Sequence, residues 1–249
     1  MNSVAIKILR RLGVLGITAS LLRGRVSISG RLKADTYPNI NALIDEHFTK
    51  FSTPDHPCKA TLTLALELLN EQPALIAETG SSAWGTNSTL LLDSYCNSFG
   101  GACYSVDIRL EPMLQLQYIT SNRTRMYCDD SVAFLKNLTL PSDSAKIDLL
   151  YLDSWDVNWA DPMPSAIHGL NEFLAAMPKL KPGSLVLIDD TPRDLANATK
   201  AHPGVARDFQ AFFDRFGFAP GKGALVKQMI QSTGRGEVLA HKYQLLLRL

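Results

Sequence analysis

The chain has 249 residues, 46% of them hydrophobic and 20% charged, with a formal net charge of +1. These proportions describe one globular domain of α/β size, or one domain plus a small extension, able to bury a real core. The near-neutral balance gives no global signal for a nucleic-acid partner.

Charge is nevertheless uneven. Residues 1–34 carry Lys7, Arg10, Arg11, Arg23, Arg25, Arg31 and Lys33 and no acid, which leaves 18 basic against 24 acidic residues in the remainder. Three readings of this segment stay open. It is a basic amphipathic helix that rests on a membrane surface or an acidic partner, an Arg-rich targeting segment, or a helix packed on the main domain. The apolar run Leu12–Leu22 is too short to span a bilayer. Cys58, Cys96, Cys103 and Cys128 show no C-x-x-C spacing, and read as reduced thiols of a cytoplasmic protein. Sequons at Asn87, Asn122, Asn137 and Asn197 read as chance matches.

In chain order, residues 38–52 and 60–70 predict two helices, separated by Pro54 and Pro57. From residue 74 the pattern alternates. Strands are expected at 74–79, 102–107, 125–128, 147–153 and 184–189. Helices are expected at 86–97, 111–120, 130–138, 165–177 and 205–216, the last with Phe209, Phe212, Phe213 and Phe216 as a core face. Residues 221–223 read as a loop. Strands at 224–230 and 243–248, with no helix between them, predict a closing hairpin. Repeated strand-then-helix units require a mostly parallel sheet with helices on both faces. Residues 1–59 form an N-terminal basic, helical cap, and 60–249 the main domain.

The functional signal begins at ALIAETGSSAWG, residues 74–85. A strand leads into a small-residue turn with Gly80 and Gly85, but Ser82 stands where a dinucleotide fingerprint wants its middle glycine. That argues against a dehydrogenase and leaves a turn suited to a nucleoside without a pyrophosphate. Asp107 closes the next strand, where an acid accepts hydrogen bonds from ribose hydroxyls or caps the following helix. Two further strands end in acid, at Asp153 and at Asp189-Asp190. Neighbouring strands bring these three carboxylates to one rim, where they repel unless a hard divalent cation joins them or each caps a turn. The loop after Asp153 carries Trp155, Asp156, Trp159 and Asp161. His168 lies four residues before Glu172 on one helix face, so Asp156 and His168 are rival candidate bases.

Taken together, E-x-G-x-x-x-x-G-x-x-S-T from Glu78 to Thr89, the acid Asp107, DLLYLD at 148–153 and LKPGSLVLIDD at 180–190 resemble class I S-adenosylmethionine-dependent methyltransferases. The likeness is greatest to metal-dependent small-molecule O-methyltransferases of the catechol and macrocin type, and covers roughly residues 60–230. The resemblance implies a Rossmann-like, seven-stranded sheet with an antiparallel last strand. It places Glu78, Gly80 and Ser82 on the methionine and ribose side, Asp107 on the ribose, and Asp130 with Ser131 beside adenine. Asp153, Asp189 and Asp190 match the metal-ligand positions, with Asp153 also counted on the cofactor side. Two departures concern the base. The catechol type has a Lys shortly after the first metal Asp, where this chain reads Ser-Trp-Asp. The macrocin type often has a His there, whereas here the nearest is His168.

The implied function is methyl transfer from S-adenosylmethionine to a small-molecule hydroxyl, assisted by Mg²⁺. The alternatives are metal-independent transfer and a cofactor-binding scaffold without turnover. The acceptor, a homo-oligomeric state and membrane contact through residues 1–34 stay open.

Overall fold

The computed structural model describes residues 18–20, 25–31, 35–81 and 85–249. Most of the basic segment 1–34, and Ser82 in the Gly-rich turn, lie outside the described residues. The elements are β1 (Thr18–Ser20), β2 (Arg25–Ser29), α1 (Ile40–Lys50), α2 (Lys59–Leu68), β3 (Ala74–Thr79), α3 (Ser88–Phe99), β4 (Gly101–Asp107), α4 (Leu110–Leu116) and β5 (Thr124–Cys128). They continue with α5 (Ser131–Asn137), β6 (Leu149–Leu152), α6 (Met163–Ala176), β7 (Leu185–Ile188), α7 (Leu195–Ala201), α8 (Ala206–Phe216), α9 (Ala224–Thr233), β8 (Glu237–His241) and β9 (Leu245–Arg248).

All nine described strands join one sheet in the order β1-β2-β5-β4-β3-β6-β7-β9-β8. The five central strands are parallel. β9 runs antiparallel to β7 and to β8. Six strands therefore stand where expected, β8 takes the place of the seventh, and two more extend the far edge, where β2 pairs antiparallel with β5. Residues 18–20 and 25–29 are thus strands, although the segment was expected to be helical.

Side-chain alternation builds the two faces. In β6, Leu149 and Tyr151 point into one core with Ile76, Leu187 and residues of α1, α2 and α3. Leu150 and Leu152 point into the other, with Val186, Phe134 of α5, Phe173 of α6 and Ile230 of α9. A strand buried on both sides has no polar face to display, which is why IDLLYLD is nearly all apolar.

One register carries the rest of the molecule. Thr79 pairs with Val106 on one side and Leu152 on the other, and Leu152 pairs with Ile188. The next residues of these four strands are Gly80, Asp107, Asp153 and Asp189. They emerge at one level on the carboxyl rim, where open α/β sheets bind ligands.

The C-terminal third departs from the sequence reading. Residues 224–233 form α9, not a strand; Gly234 in the left-handed region (φ 64°) closes it by donating its N–H to Ile230 O. A short apolar run such as ALVKQMI suits either element, and its length and this cap decide for helix. The hairpin forms instead between β8 and β9. Helix α7 was missed altogether. It starts where Asp194 accepts a hydrogen bond from the Asn197 N–H, 2.9 Å away. On α8 only Phe209 and Phe212 are buried, whereas Phe213 and Phe216 are exposed to 44% and 37%, so the aromatic stripe is only half core.

No described helix is long and apolar enough to cross a membrane. All four cysteines are free thiols. Because Phe173 is fully buried between α6 and the sheet, Phe173→Ala is expected to cost about 3–5 kcal/mol of unfolding free energy, read by urea denaturation.

Candidate functional site

The turn after β3 is held by its neighbours. Gly80 donates its N–H to Val106 O at 2.8 Å. Its φ is +83°, and a Cβ there would lie 2.3 Å from the Asp153 carbonyl oxygen. Glycine is therefore required twice, by backbone conformation and by space. Glu78, just below, has no exposed surface. It accepts hydrogen bonds from Ser88 Oγ and Thr89 Oγ1, both at 2.6 Å, and from Ser105 Oγ. Burial raises its pKa and the three hydroxyls oppose that shift. Glu78 thus ties β3 to the first turn of α3 and to β4, and it does not reach the rim cavity that the sequence reading assigned to it.

Two adjoining cavities open above the rim. The smaller, about 400 Å³, is lined by Gly80, Asp107, Arg109, Asp130, Ser131, Asp153, Trp155, Asp156 and His168, among others. Asp107 is buried and clamped by Arg109, whose N–H and Nε reach Oδ1 (2.7 and 3.0 Å) and whose Nη2 reaches Oδ2 at 3.0 Å. The Arg109 pKa is raised, first by its side-chain hydrogen bond to Asp107. The arginine side chain is 64% exposed, so a ligand can displace it at small cost. Asp130 caps α5 through the Ala133 N–H at 2.8 Å. Ser131 Oγ lies 3.0 Å from His168 Nε2, which is also 3.1 Å from Ser154 Oγ. Ser154 donates to Glu172 Oε1 at 2.6 Å. The His168 pKa is raised, first by its hydrogen bond to Glu172. Trp155 lies 5.0 Å from the His168 ring, 59% exposed and with a positive φ of 54°. His168 therefore belongs to the same wall as Ser131.

The larger cavity, about 900 Å³, is lined by His56, Cys58, Gly80, Arg109, Asp153, Asp156, Asp189, Asp190, Lys200, His202 and Tyr243, among others. The expected convergence of Asp153, Asp189 and Asp190 is present. What lies between them is a lysine. Lys222 Nζ sits 2.7 Å from Asp153 Oδ1 and 2.9 Å from Asp190 Oδ2, with its side chain 3% exposed. Burial alone would lower the Lys222 pKa, but Asp153, Asp190 and Asp189 outweigh it and hold the ammonium charged. Burial and then Asp189 raise Asp153. Asp190 is held below the usual carboxylate range because Lys222, His202 and Tyr243 together outweigh the effect of its burial.

Tyr151 Oη reaches Asp153 Oδ2 and Asp189 Oδ2, both at 3.2 Å. Tyr243 donates to Asp190 Oδ1, and His202 Nε2 is 2.8 Å from the Tyr243 hydroxyl. Among the described residues, no group of three or more His, Cys, Asp or Glu side chains is arranged to hold a metal ion. The carboxylate set expected for Mg²⁺ is thus already engaged from within the chain, by one ammonium and by neutral hydroxyl and thiol donors, and the residues present do not fit a resident divalent ion.

Of the two candidate bases, Asp156 is exposed where both cavities meet, and His168 lines only the smaller. Trp159 packs 5.3 Å from His202 and against the small core of Ala198, Val205 and Phe209, so it anchors the loop. Lys222, His202 and Arg109 were missed. Gly-Lys-Gly at 221–223 was the available hint, a lysine between two residues without Cβ; nothing local marked His202, which follows the missed helix α7.

No family model matches the sequence, and no curated protein matches it. Solved structures do. MycE methyltransferase from the mycinamycin biosynthetic pathway, in complex with Mg, SAH (S-adenosylhomocysteine) and mycinamycin VI, aligns at a TM-score of 0.54 and 19% identity, over 85% of this chain and 54% of that one. A second MycE complex, with Mg and SAH, aligns at 0.54 and 18% identity, over 99% and 61%. SAH-bound methyltransferase PaMTH1 of Podospora anserina aligns at 0.51 and 13% identity, over 87% and 90%. This is the class I methyltransferase fold. The chain spans little more than half the length of the MycE chains it matches.

The methyltransferase fold places its carboxyl-rim turn at Gly80. Gly80→Ala is therefore expected to destabilise the protein by more than the ~1–2 kcal/mol of left-handed backbone alone, seen as a lowered thermal midpoint.

Proposed function

We propose that the chain transfers a methyl group from S-adenosylmethionine to a hydroxyl of a small molecule, without a resident metal ion. The observation that carries this reading is the pair of adjoining cavities, which share Gly80, Arg109, Asp153 and Asp156 on the carboxyl rim of this fold. The smaller takes the cofactor. Asp107, released from Arg109, accepts the ribose hydroxyls. Gly80 lies on the methionine side, Asp130 and Ser131 beside adenine, and Trp155 forms a wall. The sulfonium then faces Asp156 where the two cavities join, a carboxylate that suits a cation. The SAH in the MycE and PaMTH1 complexes supports the cofactor assignment. The Mg in the MycE complexes does not transfer to this chain, because Lys222 stands among its three aspartates.

The larger cavity takes the acceptor. Its oxygen attacks the sulfonium methyl in line from about 3 Å, a bond forms from oxygen to carbon as the sulfur–carbon bond breaks, and S-adenosylhomocysteine leaves. The hydroxyl proton goes to His202. With Tyr243 donating to Asp190, His202 donates Nε2–H to the Tyr243 oxygen and keeps Nδ1 unprotonated. Asp190 Oδ1, 4.0 Å from His202 Nε2, stabilises the imidazolium that forms. Asp156 is the rival acceptor of the proton, since it stands where the two cavities join. His168, on the cofactor side, positions Ser131 and Ser154. His56 carries a pKa lowered by burial and stays neutral at the mouth.

Calorimetric titration with S-adenosylhomocysteine is expected to show saturable binding, and titration with NADH none. Asp107→Ala should weaken the former about 10–100-fold, the value of hydrogen bonds to a charged group. Absence of S-adenosylhomocysteine binding would sink the reading. In a screen of hydroxylated compounds for products one methyl group heavier, His202→Asn should lower turnover by roughly 10²–10⁴ with cofactor affinity unchanged. An equal loss in Asp156→Asn alone would move the base to Asp156. Cofactor binding without any methylated product would favour a scaffold.

A further inference from the structure

We infer that Lys222 is the built-in cation of the acceptor rim: its ammonium fills, from within the chain, the place of the divalent ion expected between Asp153, Asp189 and Asp190, and makes the site blind to metal. The first argument is saturation. The ammonium has three protons, and three acceptors stand around it: Asp153 Oδ1 at 2.7 Å, Asp190 Oδ2 at 2.9 Å and the Asp153 carbonyl at 3.4 Å. The carboxylates are equally occupied. The single Tyr151 hydroxyl proton is shared between Asp153 Oδ2 and Asp189 Oδ2, Asp190 Oδ1 accepts from Tyr243, and Asp189 Oδ1 accepts from the Cys58 thiol at 3.4 Å. All six carboxylate oxygens have a partner in the chain. A magnesium ion asks for near-octahedral oxygens at about 2.0–2.1 Å, and would have to strip these partners away.

The second argument is that the backbone is built to deliver this side chain. Lys222 N donates to Asp190 O at 3.2 Å, and Gly223 N to Thr191 Oγ1 at 2.8 Å. Gly221 has φ +137°, and a Cβ on it would lie 2.3 Å from Asp190 O. A Cβ on Gly169 of α6 would lie 2.4 Å from Lys222 O. Asp190 itself has a positive φ of 42°, a backbone state that persists only where its surroundings hold it. The lysine loop and the acidic turn are therefore clasped backbone to backbone, and the lysine side chain is only 3% exposed. Lys222 acts as a positioning residue: it fixes Asp190, which fixes Tyr243 and so His202.

The test is Mn²⁺ binding to the full chain, followed by the electron paramagnetic resonance of free Mn²⁺. The wild-type protein is expected to show no saturable binding at the rim, and its thermal midpoint should not move with EDTA. Lys222→Ala leaves three carboxylates without their cation and should bind Mn²⁺ at least about tenfold more tightly than wild type, since affinity follows the charge and count of oxygen ligands. Mn²⁺ should also raise the midpoint of that variant. Adding Asp189→Asn should abolish the gain, and Lys222→Arg should stay blind. Wild-type Mn²⁺ binding that is lost in Asp189→Asn would overturn the inference, as would a folded Lys222→Ala that ignores Mn²⁺. If that variant does not fold, Lys222→Met serves in its place and the wild-type measurement still decides. No arm uses S-adenosylmethionine, so failure here is separate from failure of the methyl-transfer reading.

Discussion

Four parallel strands ending at one level is the constraint on which the rest of this molecule depends. The pairing of Thr79 with Val106 and Leu152, and of Leu152 with Ile188, leaves the chain no choice about where the following residues emerge. A slip of one residue would send Tyr151 and Leu187 to the opposite core and turn every rim side chain over. The same register sets Gly80 against the backbone of Asp153, so that the Gly-rich turn and the acidic rim are parts of one rigid contact.

That register also creates a problem of charge. Three aspartates, half-buried or buried, are forced to share one edge of the sheet. Buried carboxylates in such proximity either take up protons or need a cation. The chain answers with a lysine fixed by its backbone, two tyrosine hydroxyls and a thiol. The resulting polar network is fully partnered, which is the condition under which a buried network is rigid and not a source of instability. One end of it, through Tyr243 and His202, reaches the larger cavity, so the network around Lys222 also orients an imidazole at that cavity's wall.

The two sides of the rim are built differently. At the smaller cavity the acid Asp107 is held by an exposed arginine that a ligand can replace, while Glu78 is withdrawn into a cage of hydroxyls and serves the fold. At the larger cavity the aspartates' partners Lys222, Tyr151, Tyr243 and Cys58 are buried. His168 looked like a candidate base because it shares a helix face with Glu172. Its pairing with Glu172 is real, but α6 carries both residues to the Ser131 wall, and His168 does not line the larger cavity.

Strand-then-helix alternation from residue 74, the all-apolar strands, the Gly80 turn and the acids at strand ends were legible in the sequence, because each is a local pattern with a local physical cause. The convergence of the aspartates followed from that pattern plus ordinary strand pairing. Helix α9, strand β8 as the first arm of the closing hairpin, and the edge strand β2 were not legible: short apolar runs fit either element until packing and a cap decide. Nor was the identity of the cation. Lys222 lies 69 residues from Asp153, and the flanking Gly221 and Gly223 hint at a close backbone approach without naming that carboxylate as its partner. Local pattern determined where the negative charges would gather. Only the tertiary structure, by closing the loop 221–223 onto the turn at Asp190, decided that the answering positive charge would be a side chain of the protein itself.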